Sequence, residues 1–110
     1  MYEYKIKEVV RVVDGDTVDV NIDLGFSLTK KERVRVAGID TPESRTSNPQ
    51  EKVLGLQAKK ALTNKLEEAK VLTIATEKDG KYGRMLGWIH ANGSPVSINQ
   101  LMIDEGYAWA

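Results

Sequence analysis

Apolar and polar residues alternate along the first third of the chain, and many of the apolar ones are β-branched. Residues 4–13 alternate or run apolar, and residues 18–22 alternate again after an Asp-Gly-Asp interruption. Residues 33–36 repeat the pattern, with two arginines on one face. A period of two is typical of β-strands, and Asp-Gly pairs are typical of turns. The pattern predicts three short strands joined by turns.

A helix is predicted after these strands. Asn48, Pro49 and Glu51 suit the N-cap, N1 and N3 positions, and Glu51 would complete a capping box. Residues that are apolar, apart from one lysine, then recur at spacings of three and four. They predict a helix that runs to about Lys70 and packs one face on a core. These residues are Leu54, Ala58, Ala61, Leu62, Lys65, Leu66 and Ala69.

The last third of the chain predicts two or three more strands and a short helix. Residues 71–76 and 85–91 are β-branched or apolar runs, and Asn92-Gly93 is a strong signal for a type I′ hairpin turn. Ser97 suits a helix N-cap, and Gly106 suits the C′ position that ends a helix.

The predicted order is three strands, a helix, two strands and a helix, within one domain spanning residues 1–110. A chain of 110 residues rarely supports two cores. We expect a mainly β, α+β fold in which five strands close into a barrel, because closure removes exposed strand edges. An open α+β sandwich is the alternative.

The composition limits the possible sites. The net charge is +0, so any phosphate-binding site must be local rather than a property of the whole surface. The absence of cysteine excludes disulfides and thiolate metal sites. The sequence shows neither a signal peptide nor an apolar run long enough for a membrane span, so we expect no membrane partner. Cytoplasmic location is the default expectation, and secretion the alternative if a leader has been removed.

Two acidic clusters interrupt the apolar segments at predicted strand ends. Asp14 and Asp16 flank Gly15, and Asp40 and Glu43 follow the third strand. Separately, the first cluster is typical of a turn and the second of a helix N-cap with Pro in the first turn. Together, they offer the oxygen ligands that Ca²⁺ or Mg²⁺ requires.

Two arginines could join these carboxylates in one site. Arg35 lies on the third strand, and Arg84 lies in a Lys-Tyr-Gly-Arg segment before a later strand. Each could equally be an exposed surface charge. Guanidinium groups bind phosphate oxygens in pairs of hydrogen bonds, so two of them beside a metal would suit phosphoryl transfer.

The order and spacing of these motifs resemble the staphylococcal nuclease (thermonuclease) family over nearly the whole chain. The motifs that carry the resemblance are Val12-Val13-Asp14-Gly15-Asp16-Thr17, Arg35 with Ile39-Asp40-Thr41-Pro42-Glu43, and Lys81-Tyr82-Gly83-Arg84. The resemblance implies an OB-fold barrel of five strands with helices. It also implies a calcium-dependent endonuclease that hydrolyses phosphodiester bonds of DNA, RNA or both and leaves 3′-phosphate ends.

The resemblance also assigns ligands for the metal. It implies that Asp16, Asp40 and the backbone carbonyl of Thr41 bind Ca²⁺. Asp14 would support these ligands without binding the metal itself.

The same family pattern assigns the catalytic and substrate-binding roles. Glu43 would activate the attacking water, and Arg35 and Arg84 would stabilise charge on the phosphorus. Lys81 and Tyr82 would contact a flanking phosphate.

The sequence also departs from the family pattern. The segment of residues 23–32 is longer than usual, which predicts an extended hairpin with Lys30 and Lys31 near the substrate path. The usual tyrosines that stack on the base and the usual C-terminal helix are not found within these residues, and Tyr107 does not match those tyrosines. An apolar patch around Trp109 would then favour a homo-oligomer through the C-terminal region. A non-catalytic barrel that binds nucleic acid or protein is the alternative function.

Overall fold

The computed structural model describes residues 2–78 and 84–110, which form five strands and two helices. The elements are β1 (Tyr2–Asp14), β2 (Thr17–Gly25), β3 (Leu28–Val36), α1 (Pro49–Glu68), β4 (Leu72–Lys78), β5 (Met85–Ala91) and α2 (Ile98–Asp104).

The five strands close into a barrel in the order β1-β2-β3-β5-β4, and β4 pairs with β1 to complete the circle. All neighbouring strands are antiparallel except β3 and β5, which pair in parallel between residues 34 and 36 of β3. The predicted five-stranded barrel with two helices is therefore confirmed, and the open sandwich is wrong. Closure pairs every strand with two neighbours, which is how a small sheet avoids a free edge.

Alternating valines fill the barrel. Val18, Val20, Val34 and Val36 are fully buried, and their neighbours along the strands point outward. Burying side chains of this size contributes about 1.5–3 kcal/mol each. β3 begins earlier than the predicted run of residues 33–36, because its charged first half pairs with β2 as the outer part of a hairpin.

Helix α1 begins as predicted, with one difference at its cap. The Asn48 side chain accepts hydrogen bonds from the backbone N–H of Gln50 and Glu51 at 3.0 and 3.2 Å, and Pro49 occupies the first turn. The reciprocal bond from Glu51 is replaced, since the Asn48 N–H donates to Thr46 Oγ1. The capping-box prediction is thus half correct.

The buried face of α1 differs from the predicted stripe at one position. Leu54 is 53% exposed, and the adjacent Gly55 is buried instead. The remaining apolar members of the stripe are buried or half-buried. Of the helices in the described part of the chain, neither combines the length and the apolar character needed to cross a bilayer.

The Asn92-Gly93 turn forms, but it does not make a hairpin. Both residues have left-handed backbone angles, with φ of 54° and 73°. The Asn92 side chain accepts hydrogen bonds from the N–H groups of Lys70 and Val71 at 2.9 and 3.0 Å. These bonds tie the turn to the start of β4, so the chain leads into α2 rather than into another strand.

Helix α2 ends at the predicted glycine. Gly106 has a φ of 82°, and its N–H donates to the Ile103 carbonyl while the Tyr107 N–H donates to the Met102 carbonyl. This pair of bonds is a Schellman motif.

Candidate active site

The β1–β2 turn and the segment after β3 meet at one end of the barrel. Thr17 of β2 is paired with Arg35 of β3, and the Val36 N–H donates to the Asp16 carbonyl at 2.8 Å. Outward-facing residues on paired strands lie side by side, so Arg35 lies beside Thr17. Asp16 immediately precedes Thr17, which brings its carboxylate within reach of the Arg35 guanidinium.

One arginine connects the two acidic clusters. Arg35 Nη1 lies 2.7 Å from Asp16 Oδ2, and Arg35 Nη2 lies 2.5 Å from Asp40 Oδ1. The Arg35 side chain is 23% exposed, so these charges are partly shielded from water. Asp16 also accepts hydrogen bonds from Thr17 Oγ1 at 3.1 Å and from the Thr41 N–H at 3.4 Å. The predicted convergence of Asp16, Asp40 and Arg35 is therefore present.

The backbone of Asp40 is held in place by the backbone of Trp109. Its N–H donates to the Trp109 carbonyl at 2.8 Å, and the Trp109 N–H donates to the Asp40 carbonyl at 3.0 Å. No helix begins in residues 40–43, since α1 starts at Pro49. The alternative interpretation of Asp40 as a helix cap is thus excluded.

Asp14 lies behind the two converging carboxylates. Its Oδ1 accepts hydrogen bonds from both the N–H, at 3.2 Å, and the hydroxyl of Ser44. Ser44 is buried, and it joins the end of β1 to the loop that carries Glu43. The sequence motifs did not indicate Ser44, because a single serine after an acidic cluster carries no pattern.

Two glycines allow the backbone segments to approach one another. A Cβ on Gly15 would lie 2.8 Å from Ala58 Cβ and 3.0 Å from the Thr41 side chain. A Cβ on Gly55 would lie 2.3 Å from the Glu43 carbonyl oxygen. Helix α1 therefore rests directly on the backbone of the loop that carries Glu43, a contact that only glycine permits.

Two shallow depressions share Asp40. One, of about 360 Å³, is lined by Arg35, Asp40 and Arg84, so the two predicted arginines face the same space. The other, of about 650 Å³, is lined by Asp40, Glu43 and Trp109. Glu43 is exposed and lines this second depression, not the one that contains the two arginines. The predicted Lys81 and Tyr82 lie outside the described residues.

The atoms at this site that could bind a metal ion are oxygens. Asp16 and Asp40 supply carboxylates, and Thr41 follows with a backbone carbonyl and a buried hydroxyl that has no hydrogen-bond partner among residues 2–78 and 84–110. Within those same residues, three or more acidic or histidine side chains do not gather into a cage for a metal. A hard cation coordinated partly by water fits this set, whereas a metal that prefers nitrogen or sulfur does not.

Asn99 positions the site and was not indicated by the sequence motifs. This buried side chain donates to the carbonyls of Ala37 and Gly87 at 2.8 and 2.9 Å, and it accepts from the Ile89 N–H at 3.0 Å. It therefore ties α2 to the end of β3 and to β5. The sequence offered little signal, since Asn99 is one of two adjacent polar residues, with Gln100, between apolar positions of a short helix.

Comparison with known proteins gives consistent matches. A family model described as staphylococcal nuclease homologue matches residues 33–110. Protein ParB of Escherichia coli is 36% identical over 110 residues, which cover 94% of this chain and 55% of that protein. Micrococcal nuclease of Shigella flexneri is also 36% identical over 110 residues, covering 94% of this chain and 56% of that protein.

A plant relative matches a smaller part of the chain. Staphylococcal-like nuclease CAN1 of Arabidopsis thaliana is 35% identical over 82 residues, covering 74% of this chain and 23% of that protein. The chain spans about half the length of the bacterial relatives that it matches. The family model covers most of the chain, and the matched residues include Arg35, Asp40, Glu43 and Arg84 of the site described above. The chain therefore belongs to the staphylococcal nuclease family.

Proposed function

We propose that this chain is a calcium-dependent nuclease that hydrolyses phosphodiester bonds of DNA, RNA or both and leaves 3′-phosphate ends. The observation that carries the proposal is the arginine bridge, in which Arg35 lies 2.7 Å from Asp16 and 2.5 Å from Asp40. A second arginine, Arg84, lines the same depression. Carboxylates and guanidinium groups that converge on one shallow space suit a phosphate group with a cation beside it.

The acidic side chains would hold the cation. Asp16, Asp40 and the Thr41 carbonyl are the ligands in this proposal, and the bound Ca²⁺ would polarise the phosphate and neutralise part of its charge. Asp14 contributes indirectly, because its bonds to Ser44 fix the loop next to these ligands.

The two arginines would bind the phosphate that reacts. Guanidinium groups stay charged at any working pH and present several N–H donors in one plane. Donors aimed at the non-bridging oxygens stabilise the charge that grows there in the transition state. Arg35 and Arg84 line one depression, which supports the proposal that both bind the same phosphate.

Glu43 would act as the general base. Its exposed carboxylate accepts a proton from water as the water oxygen bonds to phosphorus. The bond from phosphorus to the 5′ oxygen then breaks, and that oxygen takes up a proton from the surrounding water. The products are a 3′-phosphate and a 5′-hydroxyl.

Cleavage of a single-stranded oligonucleotide tests the proposal. Purified protein is incubated with the DNA or RNA strand, first with calcium and then with a chelator, and the ends of the products are identified. We expect cleavage only with calcium, and 3′-phosphate ends. If the protein binds either strand without cutting it at any calcium concentration, the chain is instead a non-catalytic binding barrel.

A further inference from the structure

The β2–β3 hairpin extends beyond the body of the barrel as an exposed arm. Residues 24–31, which we call the arm, are all exposed. Strand β5 pairs with β3 only from Val34 onward, and β1 pairs with β2 only as far as Asp23. In the part of the chain that the structure describes, the arm is therefore paired only with itself.

The tip of the arm holds an aromatic residue in an unfavourable backbone conformation. Phe26 and Ser27 both have left-handed angles, with φ of 53° and 62°, in a two-residue turn between the paired Gly25 and Leu28. Such turns usually contain Asn-Gly, because a bulky residue is strained there. Phe26 is 98% exposed, so packing within the chain does not compensate for this strain. Strain of this kind points to a contact outside the chain.

A row of cations leads from the site toward the arm. Val34 and Val36 point into the core, so Lys31, Arg33 and Arg35 share the outer face of β3. Outward-facing residues two apart on a strand are separated by about 6.6 Å, twice the rise per residue. That spacing is comparable with the separation of successive phosphates in an extended single strand.

The middle of this row carries excess positive charge. Arg33 is 63% exposed and donates to both carboxylate oxygens of Asp19, at 2.8 and 3.2 Å. Arg11 faces Asp19 from β1, and Lys31 lies one outward position along β3. The pKa of Asp19 is lowered mainly by Arg33, with Lys31 and Arg11 contributing. Three cations therefore surround one carboxylate.

Two further carboxylates near this row each accept a local hydrogen bond. Glu8 accepts a hydrogen bond from the Asn21 side chain at 3.1 Å, and Asp23 accepts one from the Gly25 N–H at 2.8 Å. Lys30 lies on the opposite face of β3, where it pairs with Glu32 at 2.7 Å. Of the two lysines predicted near the substrate path, only Lys31 belongs to the row.

We propose that the arm and the row of cations bind the single-stranded nucleic acid that flanks the cleaved bond. Arg33 and Lys31 contact the phosphates that follow the one held by Arg35, and Phe26 stacks on an unpaired base. A single strand fits because the cations form one row and because stacking needs an exposed base face. This inference rests on the proposed function, since it extends the substrate of that same site.

Binding and cleavage of a long and a short substrate test the inference. The long substrate is an oligothymidylate of about 16 nucleotides, the upper end of what one such barrel covers. The short one is a thymidine dinucleotide, which has one phosphodiester and cannot reach the arm. Binding is measured by fluorescence anisotropy in chelator at several salt concentrations, and cleavage is measured with calcium.

The variants separate stacking from charge. We expect Phe26→Ser to weaken binding of the long strand by at least about fivefold, the lower end of the effect of losing one stacked base. Lys31→Gln should reduce the slope of log Kd against log salt by about 0.7, and Lys31→Gln with Arg33→Gln by about 1.4. The kcat/KM for the dinucleotide should not change.

Matched controls remove the same groups elsewhere. Val71→Ser replaces another exposed apolar residue, and Lys60→Gln with Lys70→Gln removes two exposed cations. These controls should bind the long strand as the unmodified protein does. The variant that contains Arg33→Gln loses the ion pair with Asp19, so thermal unfolding is used to check that it folds. Lys31→Gln alone removes a positive charge and leaves that ion pair intact.

Several outcomes would overturn the inference. Equal binding of the long strand by the arm variants and the controls is one such outcome. Another is that the unmodified protein binds the long strand no better than the dinucleotide. Loss of self-association in Phe26→Ser, measured by sedimentation while strand binding is intact, would assign the arm to a second copy of the chain. Absence of all cleavage would refute the proposed function alone, because binding in chelator still decides the inference.

Discussion

At the scale of single residues, Arg84 is the side chain on which the proposed chemistry depends most directly. It lines the depression that contains Arg35 and Asp40. We expect Arg84→Ala to lower kcat by at least about a hundredfold, the scale of removing one donor that stabilises transition-state charge. The measurement is kcat on single-stranded DNA with calcium. Lys60→Ala, which removes an exposed cation from α1, is the control. A rate close to normal would show that Arg84 takes no part.

Asn99 is a residue whose loss should affect stability first. Asn99→Ala leaves the Ala37 carbonyl and the Ile89 N–H without their side-chain partner in a buried position. A buried polar group that loses its partner costs about 1–3 kcal/mol, so we expect the free energy of unfolding to fall by at least about 2 kcal/mol. Urea denaturation measures the change. Asn64→Ala, at an exposed position of α1, should not destabilise the fold. Equal stability of the two variants would contradict the role of Asn99.

At the scale of elements, the contact between α1 and the loop after β3 decides where Glu43 lies. Gly-to-Ala changes within helices usually stabilise by about 1 kcal/mol. Here a Cβ on Gly55 would lie 2.3 Å from the Glu43 carbonyl oxygen, so we expect Gly55→Ala to lower both the Tm and kcat. Thermal unfolding and the cleavage assay measure these effects. Asn64→Ala is again the control, with the opposite sign expected for Tm. A stabilised, fully active Gly55→Ala protein would rule out this close packing.

The ion pair between Asp19 of β2 and Arg33 of β3 makes the stability of the fold depend on pH. The pKa of Asp19 lies below its ordinary value of 3.8 because Arg33 donates hydrogen bonds to the carboxylate. A group with a lowered folded-state pKa stabilises the fold above its unfolded-state pKa, and this stabilisation is lost as the pH falls through the lowered value. We therefore expect Asp19→Asn to lose less stability than the unmodified protein as the pH falls below about 4, near the unfolded-state pKa.

Urea denaturation at a series of acidic pH values measures this difference. Asp104→Asn, at an exposed position of α2, should keep the acid dependence of the unmodified protein. If Asp19→Asn and the unmodified protein lose stability in parallel, the Asp19–Arg33 pair does not contribute to the fold.

At the scale of the whole molecule, positive and negative charges balance. The net charge is +0, so we expect cation binding to depend on the ligands of that site rather than on general attraction. Ca²⁺ at one hundred times its Kd should raise the free energy of unfolding by about 2.7 kcal/mol, because it binds only the folded chain. Thermal unfolding with and without calcium measures this gain. Asp16→Asn should abolish it, and Glu67→Gln on α1 should retain it. A gain that survives in Asp16→Asn would place the cation elsewhere.

Much of the fold follows from local patterns in the sequence. The valines of β2 and β3 alternate because one face of each strand fills the barrel, and that period is visible without a structure. Asn48 and Gly106 mark helix ends because their side chain and backbone requirements are local. The convergence of Asp16 with Arg35 is not a local feature, and it was predicted from the joint order and spacing of the motifs at strand ends.

Other features could not be predicted because distant residues determine them. The first half of β3 is charged, so its alternation did not mark it as a strand, and only the extra length of residues 23–32 relative to the family pattern predicted an extended hairpin. Gly55 rather than Leu54 faces inward because the loop at Glu43 occupies that space. The strand bonds between Asp40 and Trp109, and the role of Asn99, depend on α2 and the residues after it docking against the end of β3.

The bonds between Asp40 and Trp109 have a consequence for the timing of synthesis. Asp40 leaves the ribosome well before Trp109, so a nascent chain carries the acidic loop before it has the segment that fixes it. The five strands of the barrel, the last of which ends at Ala91, are all synthesised before Trp109. We therefore expect the strands to pair before the proposed site is complete. The Asp40 carboxylate would take its fixed place among the proposed metal ligands only after that.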